Sequence, residues 1–553
     1  MKNRKIFNLK NLLLVPLLGL IIGFSSFTKD DNDDFELIKN LEIFHTLMRD
    51  IRILYVDEVS SGELIKNAMD EMLKKLDPYT VYYPESLVED VMFINTGEYA
   101  GIGAEIVKQD GDYQIVEIFK DSPADKAGLL IGDKILKIND KDIKNKTNDE
   151  IGMLMKGEPG TMATFTIERY SKVSNYNVKR AMVKENSVTY YGKISDKTGY
   201  ICLSSFTENC SKEVKSAFLK LKNEQKIENL ILDLRNNPGG LLIEAVNIVN
   251  LFVNKGENIV EMKGRVEQWN KAFKAENSPI DTKMPIVVLV NGQSASASEI
   301  VSGALQDLDR AVIIGEKTYG KGLVQTTKDM VYNSKLKITT AKYYIPSGRC
   351  IQKLDYSHKD STGKATQIAE TQNRTFKTKN GRLVKDAGGI LPDITVNSDT
   401  LSLIAENLIA KNIIFNYATK YKQNHAEIAQ PDKFELSDAE MSDFKIFAGN
   451  KLFDYQSESD EILEELQEAI SREYSDANIK TNITNIKTSL EKQKQQEFQK
   501  YQNQIKTAIS SEIITRYYYK EGVLKYNLRH DKFVEQAKNV LNDANLYKKV
   551  FNN

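Results

Sequence analysis

Two short apolar runs near the middle of the chain dictate more about its fold than anything else in it. Leu230-Ile231-Leu232-Asp233-Leu234 is followed by a Gly-rich turn and a helix-like stretch, Leu241 to Val253. Pro285 to Val290 is followed by small residues and a second helix-like stretch, Ser298 to Leu308. A strand that faces water on one side alternates apolar and polar residues. A continuous apolar strand that feeds a helix belongs to a sheet covered on both faces, so the spacing predicts an α/β core over 186–395.

The flanking segments differ. Over 29–95, Leu37, Leu41, Phe44, Leu47 and Ile51 recur at helical spacing, and Asp77-Pro78-Tyr79-Thr80 breaks the pattern. Over 96–185 the period shortens to that of strands, as in Tyr113 to Ile118, with Ser122-Pro123-Ala124 opening a short helix and Gly132-Asp133 turning into Lys134 to Ile138. This reads as a small β-rich module. Residues 396–553 are helical and polar. Ile483 to Tyr518 carries thin apolar spacing that predicts a long surface helix or a coiled pair.

At the amino terminus, Lys2, Arg4, Lys5 and Lys10 precede the apolar run Leu12 to Phe24, which is shorter than the roughly 20 residues of a spanning helix. A basic start before a short apolar core predicts an export signal in residues 1–28, hence an exported, periplasmic or cell-envelope protein. Gly23, Ser25 and Ser26 offer a cleavage site that is not a clean A-x-A, so an uncleaved anchor is the alternative.

Composition removes other classes. The chain has 553 residues, with 76 Lys+Arg against 77 Asp+Glu and a formal net charge of −1, which argues against a nucleic-acid binder. Three cysteines cannot form a disulfide scaffold. His45, His358, His425 and His530 are scattered, so neither a metal site nor a His-based triad is expected, and no cofactor is implied.

Three segments carry chemistry-bearing residues. Asn291-Gly292-Gln293-Ser294-Ala295-Ser296-Ala297-Ser298-Glu299 places Ser296 near a helix start, where free N–H groups favour a developing anion. An ordinary serine cap is the alternative. Gly315 to Gln325 sets Lys321 between two glycines without completing a phosphate-binding loop, and a solvated loop lysine is the alternative. Asn236-Asn237-Pro238-Gly239-Gly240 follows the first apolar strand and either binds an anion with its N–H groups or simply turns.

In order, LDLRNNPGG, NGQSASASEIVSGALQD, GEKTYGKGLVQ, YYIPSGRCIQ and GGILPDI resemble the carboxyl-terminal processing (tail-specific) serine peptidases over about residues 35–395. The resemblance implies a crotonase-like catalytic core and an endopeptidase working through an acyl-enzyme. It implies Ser296 as nucleophile, Lys321 as general base and Gln325 as the group that orients the lysine amine. The oxyanion donors would be the Ala297 N–H and one from Gly239 or Gly240. A serine hydroxyl needs a base, and a lysine serves only when neutral, although its ordinary pKa is about 10.4. Burial disfavours the ammonium, so Lys321 is expected to be largely enclosed. Cys350 and Cys202 depart from the family pattern and read as small buried residues. A Cys202–Cys210 pairing stays open.

Residues 96–185 resemble a PDZ domain through Tyr99-Ala100-Gly101-Ile102-Gly103 and the run SPADKAGLLIGDKILKIND. The resemblance implies that the glycine loop holds a terminal carboxylate, that a strand of about Ile102 to Val107 adds the substrate tail as a further strand, and that the module as a whole gates the site. Expected partners are protein or peptide substrates held by their tails, with an adaptor or a second copy also possible. The rivals are an inactive PDZ-based peptide-binding scaffold and a crotonase-type acyl-CoA enzyme. For 396–553 three roles are open: self-association, docking a helper, or covering the core.

Overall fold

The computed structural model describes residues 31–367, 374–386, 388–474 and 477–552. The expected export segment, 1–28, lies outside them. Among the described residues no helix is long and apolar enough to cross a membrane. The chain divides into two compact units, up to Tyr82 and from Tyr83 onward.

The first unit holds helices α1 (Asp31–Leu54) and α2 (Ser61–Lys74). Ser60 accepts the Glu63 N–H and starts α2, and Asp77 accepts the Tyr79 and Thr80 N–H groups at 2.8 Å, which makes the expected break. The helical spacing is real but buries little. Leu37 and Leu41 are each 59% exposed and Leu47 53%.

In the second unit, α3 (Val88–Thr96) leads through β1 (Glu98–Gly101) into a β-rich module. Its strands are β2 (Ala104–Gln109), β3 (Asp112–Ile118), β4 (Lys134–Ile138), β5 (Met162–Arg169) and β6 (Lys172–Lys179), paired in that order and antiparallel throughout. Short helix α4 (Pro123–Lys126) opens with Ser122 as cap and Pro123 in its first turn, as expected, and α5 (Asn148–Met155) follows β4. Alternation is clear in β5, where Ala163, Phe165 and Ile167 are fully buried. β2 ends the pairing order, leaving its outer edge open, while β1 pairs separately with β7 (Ala181–Lys184).

The core begins with β8 (Val188–Lys193), antiparallel to β9 (Thr198–Leu203). From β9 on the sheet is parallel: α6 (Cys210–Asn223), β10 (Asn229–Asp233) and α7 (Leu242–Asn250) come first. After strands β11 (Asn258–Gly264) and β12 (Lys271–Lys274) come β13 (Ile286–Val290), α8 (Ala297–Asp307) and β14 (Val312–Gly315). A second sheet joins β11 and β12 to the hairpin β15 (Leu323–Asp329) and β16 (Lys335–Tyr344). The main sheet runs β8-β9-β10-β13-β14 and ends on the short β17 (Ile394–Thr395).

Every residue of β10 and β13 is buried, as their continuous apolar character predicts. Leu230, Leu232, Ile286, Val288 and Ile313 point into a cluster with α6, α7 and α8. Their neighbours Ile231, Val287, Leu289, Val312 and Ile314 face the other way, onto Phe533, Val534, Ala537, Val540 and Leu541. Those belong to α15, in the carboxyl-terminal extension. The extension comprises α9 (Leu403–Ala410), α10 (Ile413–Asn424), α11 (Asp438–Ala448), α12 (Glu458–Glu473), α13 (Ala477–Lys500), α14 (Gln502–Asn527), α15 (Lys532–Asn542) and α16 (Ala544–Asn552). Of the three roles open to it, covering the core is the one the structure displays.

Of the two readings of 483–518, a long surface helix or a coiled pair, the single helix is corrected. It breaks at Tyr501, and its second half buries Ile505, Ile509, Ile513 and Ile514 in a core of the extension's own. Within α14 the backbone departs from helix at Tyr519 (φ 56°, ψ −167°), and its hydroxyl donates to Asp125 Oδ1 at 2.7 Å. Lys520 pairs with Glu117 at 2.7 Å. The extension therefore grips the β-rich module as well as the sheet.

Candidate active site

Ser296 stands at the junction of β13 and α8. The turn leading to it is bonded to the turn after β10: Ser294 Oγ donates to the Leu234 carbonyl at 2.7 Å, and Asn237's carbonyl accepts the Ala295 N–H at 3.0 Å and Ser298 Oγ at 2.9 Å. Ser296 itself has φ 56° and ψ −111°, a backbone that a residue with a Cβ adopts only when its surroundings enforce it. The Tyr343 hydroxyl donates to its carbonyl at 3.1 Å. Its side chain is left half-buried at the mouth of the turn.

Glu299, three residues on, is completely buried. Its Oε2 accepts the N–H groups of Ser296 (2.8 Å) and Lys321 (2.9 Å). Its Oε1 accepts the Gly320 N–H (2.7 Å) and the Thr318 hydroxyl (2.6 Å). A single oxygen thus joins the backbones of Ser296 and Lys321, which are separated by no more than two hydrogen bonds end to end. Burial holds the Glu299 carboxyl above its ordinary value, against the opposing pull of these four donors.

Lys321 lies in the loop between β14 and β15. Gly320 has φ +89°, and a Cβ on Gly322 would sit 2.8 Å from the Gln352 backbone nitrogen, so the loop packs too tightly for side chains on either flank. Gln352 Oε1 accepts the Gly322 N–H at 2.7 Å. Lys321, expected to be largely enclosed in the active form, is partly buried. Gln325, on β15, donates its amide to Thr339 Oγ1 on β16 at 3.1 Å, which fixes the side chain across the hairpin.

The Asn236–Gly240 turn is held from several sides. Asn237, with no exposed surface, donates to the Leu203 carbonyl at 2.7 Å, and its Oδ1 accepts the Gly239 N–H at 2.9 Å. Gly239 (φ +100°) comes so close to the serine turn that a Cβ there would lie 2.8 Å from Ser296 Cβ and 3.0 Å from the Ala297 nitrogen. Gly240 bridges Phe206. One residue before the turn, Arg235 is wedged between two carboxylates. It bonds Asp233 through Nε and Asp531, at the start of α15, through both terminal nitrogens, at 3.1 and 2.6 Å. Burial opposes its charge, but the two carboxylates hold it well above the ordinary guanidinium value.

The residues expected from the sequence, Ser296, Ala297, Lys321, Gln325, Gly239 and Gly240, fall on three adjoining loops and a hairpin. Sequence reasoning missed Glu299, Asn237, Asp233, Arg235 and Asp531. The signal for Glu299 was an acid in an otherwise small, apolar helix turn.

In the β-rich module, the Tyr99 hydroxyl accepts the Gly103 N–H at 3.1 Å, and burial pushes that phenol up to about 12. Gly103 has φ +76°, and a Cβ there would fall 2.3 Å from Ser122 Cβ. Ala100 and Gly101 lie on β1, and the buried Ile102 lends its carbonyl to the Ala124 N–H at 2.8 Å. The loop opens onto β2, the edge strand. All three cysteines are free thiols. Burial pushes Cys202 up to about 11 and raises Cys210 and Cys350 as well, which keeps them protonated and unreactive.

Three family models match the chain: peptidase family S41 over residues 197–358, a PDZ domain over 100–179, and the carboxyl-terminal helical domain of a probable PDZ-protease over 404–541. A carboxy-terminal-processing protease of Bartonella bacilliformis is 38% identical over 60% of this chain and 77% of its own length. A probable CtpA-like serine protease of Staphylococcus haemolyticus is 35% identical over 70% and 76%. With the crotonase-like sheet, the β-rich module and the helical extension in place, these matches establish that the chain belongs to the carboxy-terminal-processing serine peptidases of family S41 that carry a PDZ domain.

Proposed function

We propose that this peptidase is exported and cleaves proteins and peptides through a Ser296/Lys321 dyad. The observation that carries the reading is the Glu299 oxygen shared by the Ser296 and Lys321 backbones, which sets a strained serine turn beside a lysine loop.

In this reading the neutral Lys321 amine takes the proton from Ser296 Oγ as that oxygen attacks the scissile carbonyl. The resulting oxyanion lies against the Ala297 N–H and a donor of the Gly239–Gly240 turn, which only a glycine lets approach so closely. Lys321 returns the proton to the departing amine, leaving an ester on Ser296. A water then attacks that ester while Lys321 again takes a proton, and the acid product leaves with Ser296 restored. Gln325, its NH2 committed to Thr339, turns its carbonyl oxygen toward the role of holding the lysine amine without adding charge. Tyr99 to Gly103 receives the substrate's terminal carboxylate, and β2 pairs with the tail. The basic start and apolar run of residues 1–28 support export to the periplasm or cell envelope.

The test compares wild type, Ser296→Ala and Lys321→Ala on an unfolded protein ending in an apolar residue or in Asp. Cleavage by wild type alone, faster on the apolar tail, is expected. Equal cleavage by all three would overturn the dyad.

A further inference from the structure

The turn from Asn236 to Gly240 contains three residues with positive φ (Asn236 58°, Gly239 100°, Gly240 148°) and cannot be held by a regular hydrogen-bond ladder. Isolated main-chain bonds, from the Ala295 N–H to the Asn237 carbonyl and from the Phe206 N–H to the Gly239 carbonyl, hold it in part, and side chains add the rest. Asn237 does so from within the turn. Asn291 bonds Asn236 from the serine turn, its Oδ1 accepting the Asn236 N–H at 3.0 Å and its amide donating to Asn236 Oδ1 at 2.7 Å, and the residue that leads into the turn is Arg235, whose guanidinium is fixed at both edges. Asp233 takes Nε and one terminal nitrogen, at 3.0 and 2.5 Å, and is itself bonded by the Tyr200 hydroxyl at 2.6 Å. Asp531 takes both terminal nitrogens, and the guanidinium lies over the Phe533 ring at 4.9 Å. The arrangement is nearly sealed: the side chains of Arg235 and Asp531 are 16% and 14% exposed.

Asp233 alone would neutralise Arg235. The second carboxylate is there because α15 begins with it: Asp531 Oδ1 also accepts the Phe533 and Val534 N–H groups, at 2.9 and 3.2 Å. One side chain thus starts the helix that covers the sheet and clamps the arginine that leads into the turn. We propose that Asp531 is a positioning residue for peptide cleavage, acting through Arg235 to preset the Asn236–Gly240 turn as an oxyanion site. This rests on the active-site reading above.

The discriminating variant is Asp531→Asn. Asparagine caps a helix as well as aspartate does, so a residue that only started α15 would tolerate the change. With its oxygen kept at the helix start, where it also accepts one Arg235 nitrogen at 3.1 Å, the asparagine would turn an NH2 group toward the other and replace the 2.6 Å bond to Oδ2 with a clash of two donors, halving the clamp. The expected result is a melting temperature within a few degrees of wild type and a kcat lowered at least tenfold with KM within threefold. Amide hydrogen exchange of Asn236, Gly239 and Gly240 should be at least tenfold faster. Wild-type kcat together with wild-type protection of these amides would overturn the proposal. Ser296→Ala runs beside it. If that variant cleaves as wild type does, the active-site reading fails, and the exchange measurement alone decides whether Asp531 orders the turn.

Discussion

Replacing Glu299 by Ala and by Gln separates what its two oxygens do. In Glu299→Ala the N–H groups of Ser296, Gly320 and Lys321 lose their acceptor together. The Thr318 hydroxyl keeps a partner, because it also accepts the Ile390 N–H at 2.6 Å. Each orphaned N–H costs about 1–3 kcal/mol where water cannot replace the bond, and removing a buried carboxylate returns several kcal/mol, so the net loss is about 2–4 kcal/mol. At about 2–4 °C per kcal/mol for a unit of this size, the melting temperature falls visibly. The catalytic loss is larger, since both loops are released and a displacement of about 1 Å costs ~100-fold in rate. In Glu299→Gln the amide oxygen can replace Oε2 and keep Ser296 and Lys321 joined, leaving only the Gly320 N–H without an acceptor. That variant should lose about 1–3 kcal/mol and no more than about tenfold in kcat.

A pH series gives the sign of the charge. Burial raises the Glu299 carboxyl in the folded state, so the protonated group contributes stability below its ordinary value, and this is lost as pH rises through the folded value. Wild type should therefore lose stability relative to Glu299→Gln as pH rises through the acidic range, measured by urea unfolding. An Ala variant with kcat within threefold of wild type and an unchanged melting temperature would refute the account of Glu299 as the tie between the loops.

Gly239→Ala, which must place a Cβ 2.8 Å from Ser296 Cβ at φ +100°, should remain folded and lose at least about 100-fold in kcat, read by the same proteolysis assay. Ser296→Gly should be more stable than Ser296→Ala by about 1 kcal/mol in thermal unfolding, because glycine relieves the strained backbone at that position. Gly103→Ala should weaken binding of a fluorescent peptide with an apolar carboxyl terminus at least about tenfold, since the loop cannot close over Ser122. Truncation after Asn527 should yield insoluble protein. The larger side chains of α15 contribute about 1.5–3 kcal/mol each, and a domain's whole stability is roughly 5–15 kcal/mol.

The sheet was legible because Leu230 to Leu232 and Ile286 to Val290 are apolar without interruption, and part of the site because the Asn236–Gly240 turn and the serine turn follow those two strands directly, the lysine loop following β14. What covers the second face was not. Phe533, Val534, Ala537, Val540 and Leu541 form a readable helical stripe, but a stripe names no partner. Glu299 and Asp531 look in sequence like ordinary acids near helix starts. Their roles depend on donors contributed by loops far along the chain, such as Gly320 and Arg235. The exposed stripe of α1 shows the converse: good periodicity establishes a helix without saying what, if anything, lies against it.

That α15 supplies a layer of the catalytic sheet has a consequence for biosynthesis. Ser296 and Lys321 leave the ribosome long before Asp531, yet the sheet beneath them stays bare, and Arg235 half-clamped, until the last helices follow. A chain assembled in this order has an incomplete sheet layer, and an Arg235 held on one side only, until its last helices are made.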